Sequence, residues 1–255
     1  MKSFPHVLYI PVADIICELH FQNKEHKKFY EDSCIFLKTL PRIHKSIKIF
    51  LEETSDSYLL SSFPKKTKIR VKKQDLVSFN DIVLLVEVLM EYNLAYRGIL
   101  FFHGSSFVKN GKGYAFSAPS GIGKSTIVSK VPKKDVLSDD LLVLKKMKNR
   151  FYIFTSPFDK ANIPNLVFQA APLDTLFFLE QEIFTKIEEE SLEDKIYNLL
   201  ISNLLLGWNK LQIEHNKGIG KSAEKKVHSL IFDLVKSCNI RTLYFTKDSK
   251  PFSDF

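Results

Sequence analysis

The sequence predicts an α/β fold with a β-rich N-terminal segment, on three observations. Residues 1–76 carry short β-branched and aromatic runs set between polar stretches, the pattern of strands with one wet face. Residues 77–255 alternate such runs with amphipathic helical segments, as in strands covered by helices. A glycine-rich turn, Ala118 to Thr126, joins a strand-like run to a helix-like one. The division predicted is a segment 1–76 followed by a domain 77–255.

In the first segment Val7 to Ile10, Ile15 to Phe21, Cys34 to Leu37, Ile47 to Leu51 and Ile69 to Val71 read as strands. Lys65 to Lys73 alternates basic residues with Ile69 and Val71, which suits a strand with one solvated face. No aromatic platform interleaves those charges along the chain, so nucleic acid is not the expected partner. Ser78 to Tyr96 is a helix capped by Ser78 or Asn80, with Ile82, Leu85, Val86, Val88, Leu89 and Tyr92 on a broad apolar face. Ile99 to Val108 and Gly113 to Ser117 flank Asn110-Gly111, a hairpin signal because both turn positions tolerate positive φ. A short helix runs to Val131 and stops at Pro132. Strands are expected at Val136 to Leu144, Phe151 to Phe154, Thr175 to Leu179 and Thr242 to Phe245. Helices are expected at Ser191 to Leu206, with Glu193 at the capping-box position, and at Ala223 to Cys238.

Bulk properties narrow the class. A chain of 255 residues with 22 Phe can fill a sizeable aromatic core. The longest apolar runs, Ile82 to Met90 and Leu199 to Leu206, are too short for a bilayer and are broken by Glu87 and by Ser202-Asn203. Pro5, His6, Pro11 and Asp14 interrupt the N-terminal stretch, which does not read as a signal peptide. Cys17, Cys34 and Cys238 are odd in number and lack metal spacing, so reduced thiols in a cytoplasmic protein are expected. The formal charge of +8 suits a lysine-rich solvated surface or attraction of an anionic partner.

The central motif is the Walker A pattern Ala118-Pro119-Ser120-Gly121-Ile122-Gly123-Lys124-Ser125-Thr126, with Ala118 at the usual first glycine. Gly121 and Gly123 let the backbone curl so that N–H groups converge on phosphate oxygens. Lys124 would bridge the β- and γ-phosphates of ATP or another nucleoside triphosphate, and Ser125 would give its hydroxyl oxygen to Mg²⁺. Gly218-Ile-Gly-Lys-Ser222 repeats five letters, but no buried strand precedes it, and a loop capping the helix from Ala223 is expected. Asp139 and Asp140 follow the motif's helix directly. Two adjacent carboxylates beside a buried strand are costly without a compensating cation. Mg²⁺ would supply it: one acid holds the metal and the other accepts a proton from an attacking hydroxyl.

Phe102-His-Gly-Ser-Ser106, Ser120-Gly-Ile-Gly-Lys-Ser125 and Ser138-Asp-Asp140, in this order, resemble the HPr kinase/phosphorylase family and, more distantly, phosphoenolpyruvate carboxykinases. The resemblance covers roughly residues 98 to 180. It implies a P-loop kinase core of that type, with His103 near the transferred phosphate and Asp139 or Asp140 as proton acceptor. It also implies a serine-type hydroxyl on a protein, peptide or small metabolite as acceptor, and a homo-oligomer. Thr126 stands where HPr kinases tend to carry Glu, and their glycine-rich second signature has no counterpart. Lys160, near Ser156-Pro-Phe158, is a further candidate for phosphate or substrate contact. Two other readings stay open: a nucleotide-binding regulatory protein without phosphotransfer, and a nucleic-acid-associated NTPase.

Overall fold

The computed structural model describes residues 3–32, 45–64, 67–76, 78–158, 168–203 and 220–246. The chain is mixed α/β. The expected strand Cys34 to Leu37 lies outside the described residues, as does Lys160.

Strands β1 (His6–Val12), β2 (Ile15–Phe21), β3 (Lys45–Glu53), β4 (Ser57–Phe63) and β5 (Thr67–Lys72) form a five-stranded sheet in that order. Strands β2 and β3 are parallel and the other neighbours antiparallel. Alternation puts Leu8, Ile10, Cys17, Leu19, Ile47, Ile49, Leu60 and Ile69 on the buried face. Lys68 and Arg70 of β5 are exposed on the other side of Ile69, as its pattern predicts. Helix α1 (Lys24–Asp32) and strand β4 were not expected. Only Tyr30 of α1 is buried, so its sequence shows no apolar stripe. Strand β4 carries buried serines: Ser62 lies on the inward face, opposite Ile49, and Ser57 is buried at the strand's start.

Helix α2 (Phe79–Leu94) contacts β3 and β4 and also β6 (Ile99–Lys109) of a second sheet. From Val88 to Ala95 every residue is buried, including Glu91 and Asn93. A helix lying between two sheets must be covered all round, which is more than the single broad face expected. Asn93 Nδ2 donates to Leu89 O at 2.8 Å and to Ser62 Oγ of β4 at 3.0 Å. Glu91 accepts the Phe101 N–H of β6 at 2.8 Å.

The second sheet has eight strands. β7 (Lys112–Ser117), β8 (Val136–Ser138), β9 (Leu141–Met147), β10 (Arg150–Phe154), β11 (Ala170–Gln181), β12 (Lys186–Glu189) and β13 (Asn239–Phe245) join β6 in the order β10-β9-β6-β7-β11-β13-β12, with β8 also on β6. Strand β10 pairs the start of β11 too, so the sheet curls back on itself. β7, β11 and β13 are parallel. The β6–β7 hairpin turns on Asn110 (φ 53°) and Gly111 (φ 75°) as predicted.

Among the described residues, the remaining α-helices are α3 (Lys124–Ser129), α4 (Leu192–Ser202) and α5 (Gly220–Ser237). Ile127 and Val128 of α3 pack on Phe107, Phe116, Phe177 and Phe245, while α2, α4 and α5 serve the larger core on the opposite face. The sheet therefore sends successive residues of β11, such as Leu176 and Phe177, into different cores.

Three expectations are corrected. The single strand Val136 to Leu144 is two strands, β8 and β9, interrupted at Asp139 and Asp140. Ser191 caps α4 by accepting the Asp194 N–H at 3.1 Å; counted from that cap, Asp194 and not Glu193 holds the third helical position. Gly220 to Ser222 form the first turn of α5 rather than a loop before it, while Gly218 lies outside the described residues.

Candidate functional site

Four neighbouring strands bring the motifs together. Strand β7 leads into the loop 118–123, which enters α3 at Lys124. β8 and β9 both run antiparallel on β6, pairing Ser106 with Ser138 and His103 with Leu141, so the break between them lies opposite Gly104 and Ser105. That break is the Asp139-Asp140 pair.

Buried polar groups fix these strand ends. The Gly104 N–H donates to Asp140 O at 2.9 Å, and Ser138 Oγ donates to Gly104 O at 3.2 Å. Ser117 Oγ donates to His103 O at 3.1 Å, and Ser105 Oγ to Lys124 O at 3.3 Å. A Cβ on Gly104 would lie 2.5 Å from both Leu142 Cδ1 and Phe116 O, so only glycine lets β6 pass this closely between β7 and β9.

The loop curls where the motif demands. Gly121 has φ 85° and Gly123 φ 116°, the left-handed region open to glycine. A Cβ on Gly123 would meet the ring of Phe245 at 2.7 Å. Gln181 Nε2 donates to Ile122 O at 2.8 Å. Helix α3 has six residues, too few to carry a long helix dipole.

A cleft of about 260 Å³ opens at this junction. Ser120, Gly121, Gly123, Lys124, Ser125 and Thr126 line one side, and His103, Asp139 and Asp140 the other. Of the remaining motif residues, Ala118 and Ile122 pack against the core beneath α3. Ala118 O and Pro119 O accept from Lys124 Nζ at 2.7 and 3.0 Å. Burial holds the Lys124 ammonium below the ordinary lysine pKa, against the opposing pull of Asp140 and then Asp139. His103 Nδ1 stands 3.4 Å from Asp140 Oδ1, and one carboxylate oxygen of Asp139 is buried.

Metal chemistry can be tested on these donors. Among the described residues no group of three or more His, Cys, Asp or Glu could hold a metal by itself. The cleft offers a hydroxyl, Ser125, and two carboxylates, Asp139 and Asp140. An all-oxygen set with few carboxylates fits a Mg²⁺ that shares its coordination with phosphate and water. Elsewhere, burial raises the Cys17 and Cys238 thiols above their ordinary pKa, which makes them poor nucleophiles.

The sequence names Ser105, Ser117, Ser138 and Phe245 within its motifs and strands but gives them no role, and it does not point to Gln181. The three serines stand in or beside the motif runs, and that position was the only signal available. Gln181 and Phe245 reach the loop from distant strands and carry no local mark.

No family model and no curated protein matches the chain. A solved structure, the Hpr(Ser) kinase/phosphatase from Coxiella burnetii, aligns with 32% of this chain and 59% of its own length, at 15% identity and a TM-score of 0.27. The overlap is thus under two thirds of that protein. No helix among the described residues is long and apolar enough to cross a membrane.

Proposed function

We propose that this protein is a P-loop phosphotransferase, moving the terminal phosphoryl group of a Mg²⁺-bound nucleoside triphosphate such as ATP to a serine-type hydroxyl on a protein, peptide or small metabolite. One observation carries the reading: a single cleft gathers a lysine ammonium, a hydroxyl and two carboxylates beside a loop with glycines at positive φ. Its volume, under the roughly 300 Å³ of small-molecule pockets, suits a polyphosphate tail, with the nucleoside lying outside it.

Lys124 turns from Ala118 O and Pro119 O to the β- and γ-phosphates, exchanging two neutral acceptors for anionic ones. Ser125, with Asp139 or Asp140, would hold Mg²⁺, which when bound would supply positive charge to the phosphates. The other aspartate takes the proton from the acceptor hydroxyl as its oxygen bonds to phosphorus and the bond to the departing nucleoside diphosphate breaks. His103, beside Asp140, stabilises the transferred group as charge builds on it.

The test is titration calorimetry with Mg-ATP, followed by incubation with γ-phosphate-labelled ATP and hydroxyl-bearing acceptors. Binding with transfer of label is expected. Binding without transfer to any acceptor identifies a regulatory nucleotide-binding protein instead, and absence of affinity for every Mg-nucleotide removes the P-loop reading.

A further inference from the structure

The two faces of the five-stranded sheet are built differently. Helices α1 and α2 pack on the inward face, where Tyr30 meets Phe21 and Asn93 meets Ser62. The outward face is open at Tyr9 and Phe63 and buried at Pro11, and the ring edge of Phe4 rests on Phe50 at 5.2 Å.

Strand register arranges outward side chains in rows. Tyr9, Glu18, Lys48 and Phe63 align across β1 to β4, and His20, Phe50, Ser61 and Lys68 across β2 to β5. Tyr9 and Phe63 are 58% and 53% exposed, unusually high for large rings on a sheet. The His20 ring stacks on Phe50 with centroids 4.6 Å apart and planes 22° apart. Lys48 is taken up by Glu18 at 3.3 Å. Lys68 and Arg70 stand exposed on the edge strand β5 and form no ion pair among the described residues. Aromatic rings and cations thus share one face, although no single stretch of sequence shows it, because they come from five strands.

We infer that this face binds single-stranded nucleic acid, with bases stacking on the exposed rings of Tyr9 and Phe63, the Phe50–His20 pair packed between them as support, and phosphates running along Lys68 and Arg70. An aromatic platform beside a basic track is what strand binding without sequence preference requires. A sheet displaying rings from adjacent strands is one way to splay unpaired bases. The net charge of +8 favours a polyanion at long range. This surface is separate from the nucleotide cleft, and the inference stands or falls without it.

The test uses the full chain and a fluorescent oligothymidylate or oligouridylate of roughly a dozen residues, within the site sizes of such binders. Anisotropy is followed from about 50 to 200 mM salt, where phosphate contacts are released. Binding that weakens steeply with salt is expected. Phe63→Ala and Tyr9→Ala should each lower affinity at least about fivefold, the low end for losing one stacked base, and leave the salt slope unchanged. Lys68→Ala with Arg70→Ala should flatten the slope by about 0.7 per lost contact. All four side chains are on the surface, and thermal melting checks that each variant stays folded. Absence of binding at the lowest salt overturns the inference, as does binding indifferent to these four substitutions. Capture of a polyglutamate peptide in place of the oligonucleotide also overturns it, in favour of an acidic protein partner.

Discussion

Lys124 is where local chemistry is sharpest. Its ammonium is buried, held on two loop carbonyls and faced by two carboxylates. Burial lowers its pKa, so it gives up its proton at a lower pH than a free lysine. Polyphosphate affinity, which needs the ammonium, is therefore expected to fall as pH rises through that depressed value, before the ordinary lysine range is reached. Calorimetry across alkaline pH checks this, with proton uptake on binding as the accompanying signature. Lys124→Ala is expected to cost at least ~10²-fold in phosphoryl transfer, the scale for one preorganised charge contact; normal turnover would remove the mechanism. Asp139→Asn and Asp140→Asn should each spare nucleotide affinity more than turnover, and transfer unaltered in both would dismiss the carboxylates. Gly123→Ala meets two obstacles, a φ of 116° and a Phe245 ring 2.7 Å from the new methyl. A loss of roughly 2 kcal/mol is expected in denaturant unfolding, together with loss of nucleotide binding.

At the scale of elements, the site depends on how closely β6 runs between β7 and β9. Gly104→Ala drives a Cβ to 2.5 Å from the Phe116 carbonyl, and a backbone atom cannot turn aside as a side chain can. Destabilisation of about 3 kcal/mol is expected, read as a lowered urea midpoint. Much of this level was legible in sequence: the Asn110-Gly111 hairpin, the loop and helix after it, and the aspartates following that helix. The break between β8 and β9 was not legible. Val136-Leu137 and Leu141 to Leu144 have strand composition on either side of Asp139-Asp140, and only pairing with β6 shows that the acidic pair leaves the ladder. Helix α1 and strands β4 and β12 escaped notice because their residues are polar or lack periodicity. Their positions are set by packing and edge pairing instead of local preference.

For the molecule as a whole, α2 is the hinge of the stability argument. It fills the space between the sheets, and Lys145 of β9 pairs with Asp14 in the turn between β1 and β2. We propose that the division near residue 76 marks a change of role and not an independently folding unit. A fragment beginning at residue 77 would lose the cover that β3 and β4 give α2 and is expected to bind a hydrophobic dye and aggregate. A soluble, cooperatively melting fragment would overturn that expectation.

The sequence by itself determined the α/β class, the order of most elements and the loop chemistry, because hydrophobic period, turn glycines and a phosphate-binding signature act over a few neighbouring residues. Tertiary structure set His103, Lys124 and Asp140, already suggested by the motifs, around one cleft, and alone decided that Phe245 and Gln181 hold its loop and that rings from separate strands meet basic residues on one face. Those are contacts between residues far apart in the chain. Strand register and packing create them, and no local preference encodes register.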